Sequence, residues 1–242
     1  MIENPFILSK RPVRTNLNCI VKGDYFFYAD KKKESFTFQD ESYIILIDGY
    51  IIPRNSEFID KNSSIFEIIN QLYNKYRLGF IEHIKGLFII VIAGPDYFHI
   101  FSHRIGIKKV FYSHNSEGFI ITNNLNLLLP FNNFSPDITG ITNYYLFNNH
   151  LPGKTLFEGI NFTGPAAHIN FKKELSIESW FDYNSFIGCQ KFDASSEEIA
   201  ETIVRIIINA NIFLNNEKSC VTLTGGLDSR LILSILLQLP GK

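Results

Sequence analysis

The chain has 242 residues, 45% of them hydrophobic and 14% aromatic, with a formal net charge of −1. That composition is ample for a packed core and excludes global disorder. The near-zero charge gives no electrostatic case for nucleic acid or an anionic membrane as partner.

Three scattered cysteines, Cys19, Cys189 and Cys220, make no disulfide framework and suit a reducing, cytoplasmic setting. Met1-Ile2-Glu3-Asn4-Pro5 carries neither the basic nor the apolar region of a signal peptide. The longest apolar run, Leu87 to Ala93, is too short to cross a bilayer. The six histidines are isolated, without metal-ligand spacing.

From Asn18 to Ile52 the pattern is one of short β-rich runs broken by turn residues. Tyr25 to Tyr28 and Ser35 to Phe38 read as strands, and Lys31-Lys32-Lys33 before Glu34 as a solvated turn. Asp48-Gly49 lies between Ile44–Ile47 and Tyr50–Ile52, a strong hairpin signal, with Pro53 and Asn55 ending that arm. Ser63 or Ser64 caps a helix over Ile65 to Tyr76, and Glu67 completes a capping box with Ser64. A short helical stretch, Phe80 to Ile84, leads through Gly86 into a buried strand, Leu87 to Ala93. Further strands follow at Tyr97–Ser102, Val110–Ser113 and Phe119–Thr122. A meander of this kind carrying one or two helices predicts α+β architecture with sheets packed face to face.

Beyond it, Pro136 to Asn148 suggests a small helix, and Thr155 to Phe171 holds short strands around Gly164-Pro165. Ser176 to Phe181 closes this part and carries the single tryptophan, Trp180. A linker over 185–194 precedes a long helix opened by Ser195-Ser196-Glu197-Glu198 and running to about Phe213, broken by Asn215-Asn216. The last stretch reads as a strand from Val221, two glycines, and a helix from Asp228 to Leu239. Glycines let backbone approach an anion, and a helix start offers unpaired N–H groups and a positive dipole end. Asp228 or Ser229 can cap that helix, and Ser229 can donate to a phosphate oxygen.

Thr224-Gly225-Gly226-Leu227-Asp228-Ser229 resembles the S-G-G-x-D-S pyrophosphate loop of the asparagine synthetase family, with Thr224 for the first Ser. Lys85 to Ile92 is similar to the G-x-F-A strand of that family's glutamine amidotransferase domain. Arg104 to Tyr112 is similar to its R-D-x-x-G-i-k-P-L-Y-Y stretch, and Asp48-Gly49-Tyr50-Ile51 to its N-G-E-I element. Lys154 to Ile160 looks like T-x-F-x-G-I, and Ser179-Trp180-Phe181 like the closing Y-W. The resemblance implies a four-layer αββα sandwich of the N-terminal-nucleophile type over 1–184. The start of a Rossmann-like ATP pyrophosphatase domain then follows over 195–242.

Departures from the family are as informative. Its N-terminal cysteine nucleophile is missing, since Ile2 follows Met1 and Cys19 lies within a strand pattern. The glutamine-binding Asn of N-G-E-I has become Asp48, and Ile65 stands where the glutamine-binding Asp belongs. Glutamine hydrolysis is therefore not expected, as in β-lactam synthetases and lasso-peptide cyclases. The family's synthetase domain also needs strand–helix units beyond the sequence that stops at Lys242. The chain is thus expected to be a fragment of a longer protein or a truncated relative, inactive alone.

What the resemblance implies for a complete protein is ATP- and Mg²⁺-dependent amide formation through an acyl-adenylate. Thr224, Gly225, Gly226, Leu227, Asp228 and Ser229 would cradle pyrophosphate, and Asp228 would bind Mg²⁺. The alternatives are a pseudoenzyme acting as a protein-binding, regulatory or immunity-type partner, and a bare nucleotide or phosphate binder.

Overall fold

The computed structural model describes residues 4–30, 36–39, 43–54, 64–131, 135–151, 153–188, 194–213 and 221–239. The readings at Lys31–Lys33, Asn55, Ser63, Cys189, Asn215-Asn216 and Cys220 lie outside them. Two compact units divide the chain, Met1–Asp182 and Tyr183–Lys242. Among the described residues there are two antiparallel sheets and five α-helices, a mixed, α+β composition.

The first unit carries both sheets. In chain order its strands are β1 (Phe6–Ser9), β2 (Asn18–Lys22), β3 (Phe26–Ala29), β4 (Phe36–Gln39), β5 (Tyr43–Pro53) and β6 (Ile84–Ala93). They continue as β7 (Phe98–Ser102), β8 (Phe111–Asn115), β9 (Gly118–Thr122), β10 (Asn161–Phe162), β11 (Ala167–Phe171) and β12 (Leu175–Ser179). One sheet runs β10-β8-β9-β1-β3-β2 and the other β12-β11-β7-β6-β5-β4. Period-two alternation sends Phe6, Leu8, Phe27, Phe119 and Ile121 from the first sheet into the same core as Leu46, Val91, Ile100 and Ile169 from the second. The sheets therefore pack face to face. Phe98 and Phe171 stack at 5.3 Å between ring centroids, and Tyr25, in the bend between β2 and β3 of the first sheet, meets Phe98 edge-on at 5.0 Å.

Asp48-Gly49 does not turn. β5 passes straight through it, pairing with β6 from Ile44↔Ala93 to Pro53↔Ile84. Gly49 and Gly86 have φ of 116° and 133°, and a Cβ on either would overlap a carbonyl oxygen of the facing strand. The glycines serve close backbone approach inside a long ladder, where a turn pair would serve a hairpin.

Helix α1 (Ile65–Tyr76) starts at Ser64, whose hydroxyl accepts from Glu67 N while the Glu67 carboxylate accepts from Ser64 N. It buries Ile68, Ile69 and Leu72, each contributing about 1.5–3 kcal/mol relative to exposure. The Tyr43–Tyr73 and Phe80–Phe101 contacts, through α1 and the 3₁₀ turn Arg77–His83, set this layer on the outer side of the second sheet. Helix α2 (Ile138–Phe147) buries only Gly140, so the layers seen among the described residues are sheet, sheet and helix.

The second unit is helical: α3 (Tyr183–Gly188), α4 (Ser196–Phe213) and α5 (Leu227–Leu237). Ser195 and Glu198 form a second reciprocal cap at the start of α4. Val221 to Thr224, expected as a strand, is irregular chain. A strand requires a ladder partner, and the described elements of this unit are all helices. None of the described helices is long and apolar enough to span a membrane.

Candidate functional site

Where the family pattern has its glutamine-binding Asn, Asp48 is only 2% exposed. Lys108 Nζ lies 2.9 Å from its Oδ1, and the two side chains are 10% and 3% exposed. Asn123 Nδ2 donates to Asp48 Oδ2 at 2.9 Å, and Asn4 N donates to Oδ1 at 3.3 Å. Asn4 in turn donates through Nδ2 to Ile47 O, and Asn123 holds Asn4 O and Phe6 N. One carboxylate thus ties β5, the entry to β1, the end of β9 and the segment between β7 and β8 into a single cluster. A buried carboxylate with a bonded cation and amide donors on both oxygens is a satisfied structural ion pair.

Lys108 reaches Asp48 because the segment after β7 is tightly folded. His103 Nε2 accepts from Ile107 N at 2.8 Å, and Gly106 takes φ of 72°. Burial, joined by the nearby Lys108 charge, holds His103 below the ordinary histidine value. Sequence reasoning singled out Asp48 but missed Lys108, Asn123 and Asn4 as its partners. Lys108 stood in a family-like stretch, yet only folding brings together residues 60 positions apart. Ile65 opens α1, directly after the Ser64 cap.

The glycine loop lies in the second unit. Gly226, with φ −78° and ψ 162°, occupies the cap position of α5 without a side-chain cap bond. Helical residues begin at Leu227, so Asp228 and Ser229 fall inside the first turn, beyond the capping position expected for them. The Ser229 hydroxyl is turned into the loop: it accepts from Thr224 N at 3.1 Å and lies 3.1 Å from Thr224 Oγ1. Thr224 Oγ1 accepts from Gly226 N at 3.3 Å. Thr224 to Asp228 are exposed, and a Cβ on Gly225 would meet nothing within 4 Å. Exposed amides at a helix start with one carboxylate in the first turn fit a phosphate group and its divalent counter-ion. An anion would have to draw both Ser229 and the Gly226 amide away from Thr224.

A third cluster lies on the outer side of the second sheet. His168 Nδ1 is 3.1 Å from Glu178 Oε1, and His168 Nε2 is 3.2 Å from His99 Nδ1. A His168 that donates to Glu178 leaves Nε2 to accept from His99. Burial lowers His99 to about 4, helped by the neighbouring His168. Burial also lowers His168, against the pull of Glu178. Among the described residues no group of three His, Cys, Asp or Glu side chains is placed to hold a metal.

No family model matches this chain, and no curated protein does. Among solved structures it is similar to the glutamine phosphoribosylpyrophosphate amidotransferase from B. subtilis complexed with ADP and GMP. That likeness has 9% identity and a TM-score of 0.41, and it covers 66% of this chain and 36% of that one. An allosteric regulatory enzyme of purine biosynthesis is similar at 7% identity and a TM-score of 0.42, covering 74% of this chain and 43% of its own. The chain therefore spans less than half the length of either. Likeness at this level says nothing of activity.

Proposed function

We propose that the first unit is a glutamine amidotransferase-like domain that no longer hydrolyses glutamine. We further propose that the chain belongs to an asparagine synthetase-like system for ATP-dependent amide formation. The observation that carries the reading is the Asp48–Lys108 pair, locked by Asn123 and Asn4. The resemblance puts an amide that reads glutamine at position 48. A carboxylate already bonded on both oxygens cannot take that role without unpairing Lys108. The cluster instead holds Asn4, and hence β1, in place.

In this reading Gly225 and Gly226 supply backbone N–H groups to pyrophosphate oxygens, Thr224 and Ser229 supply hydroxyls, and Asp228 holds Mg²⁺. ATP, when bound, supplies the driving force for amide formation. The loop's own contribution is electrostatic: a helix start and amide donors stabilise negative charge on the departing pyrophosphate.

Two measurements test this. Incubation with L-glutamine should release no ammonia above the buffer rate, and turnover proportional to protein would overturn the first half. Pyrophosphate with Mg²⁺, titrated against the chain by calorimetry, should bind and should weaken about tenfold or more in Asp228→Ala, the scale of a lost charge-assisted contact. Equal binding by the variant would remove Asp228 from the site. A second reading, a non-catalytic protein-binding scaffold, is favoured by the exposed apolar surface of α2, where Ile138, Tyr145, Leu146 and Phe147 face solvent. That reading gains if wild-type protein binds no pyrophosphate.

A further inference from the structure

Within the first unit, a cavity of about 130 Å³ lies between the start of β8, β10 and the chain that follows α2. Phe111, Phe157 and Phe162 form aromatic walls, and Lys109, His150 and Thr155 supply the polar lining. The Thr155 hydroxyl is committed, donating to Ile160 O at 2.7 Å. The two nitrogen groups are not. Lys109 Nζ sits 4.4 Å from the Phe162 ring centroid and has no ion pair among the described residues. His150 Nδ1 is buried without a hydrogen-bond partner. Asp137, the carboxylate at the head of α2, is occupied by Lys154 and the Gly140 amide.

Two basic groups face one small apolar cavity with no acid between them. Burial lowers Lys109 below the ordinary lysine value. Burial, and after it the Lys109 charge, lowers His150. Water could satisfy the imidazole nitrogen, but water does not balance a half-buried ammonium, and the aromatic walls give it few partners. An anion would satisfy both groups at once.

We propose that this cavity binds a small monocarboxylate, with its carboxylate between Lys109 Nζ and His150 Nδ1 and its apolar part against Phe111 and Phe157. Size limits the ligand. A cavity of about 150 Å³ holds a benzene ring, so this one takes an aliphatic acid of about four to six heavy atoms.

The probe is butyrate, titrated by calorimetry against the whole chain at constant ionic strength, beside its neutral isostere butyramide. Butyrate should bind one to one and about tenfold or more tighter than butyramide. Lys109→Met keeps the apolar stem and should reduce butyrate affinity about tenfold while leaving butyramide unchanged. The His150 ring protons, followed by NMR, should titrate at higher pH when butyrate is bound, because an adjacent anion favours the imidazolium. Absence of butyrate binding, equal affinity for butyrate and butyramide, or unchanged butyrate affinity in a folded Lys109→Met variant would each overturn the proposal. The wild-type comparison decides the matter even if the variant fails to fold.

Discussion

Asp48 shows how one residue can look like a site and act as a strut. From the sequence it reads as a substituted recognition residue, and in three dimensions it anchors four segments. Lys108→Met would leave a buried carboxylate without its cation, which costs about 3–5 kcal/mol. The urea midpoint should fall accordingly with the m-value unchanged. His99 provides a pH-dependent counterpart. Its folded value, about 4, lies below its ordinary 6.5, so between those values the unfolded chain binds more protons than the folded one. The His99 contribution to stability should therefore fall as pH drops from 6.5 toward 4 and level off below. Denaturant midpoints measured across that range should show the slope, and His99→Phe should flatten it in part. His103, His150 and His168, also lowered, retain the remainder. The depressed values were not legible in six isolated histidines, because burial against Tyr97, Phe101 and His168 arises only when the sheet forms.

Among the elements, helices were the most legible. The Ser64–Glu67 cap and the apolar spacing over Ile65–Tyr76 are local signals, and α1 occupies those residues. Ser64→Ala should cost about 1 kcal/mol, seen as a lowered thermal midpoint. Strands fared less evenly. β1, Phe6–Ser9, lies between β9 and β3 in its sheet, yet Phe6-Ile7-Leu8 is too short to announce itself, and its partners are distant in the chain. Asp48-Gly49 misled because a hairpin turn and a glycine in a long ladder share the same dipeptide. Gly49→Ala forces a side chain against Leu87 at positive φ and should cost more than about 2 kcal/mol. Gly225→Ala is the contrast: nothing crowds that position, so stability should change by less than about 0.5 kcal/mol. Any effect on pyrophosphate binding by that variant then reports on the loop's backbone approach to the anion.

At the scale of the molecule, the two units differ in how they bury themselves. The first encloses a core drawn from both sheets. The helices of the second leave Ile199, Ile203 and Ile206 on α4, and Leu227, Leu231 and Leu237 on α5, exposed. A chain ending at Asp182 should therefore unfold cooperatively, read as a single urea transition by circular dichroism. Residues 183–242 alone should show low helicity and self-association, since apolar helix faces without a cover do not hold helices in water.

The sequence by itself determined the elements whose signals are local: capped amphipathic helices, most of the buried strands, and the glycine loop at a helix start. These depend on residues within a few positions of one another, where periodicity and capping act directly. Tertiary structure alone decided that Asp48 meets Lys108, that β1 is an inner strand, that Val221–Thr224 is irregular, and that Lys109 and His150 share a cavity. Pairing register, burial and charge contacts join residues tens of positions apart, so their energies exist only once the sheets have closed on each other.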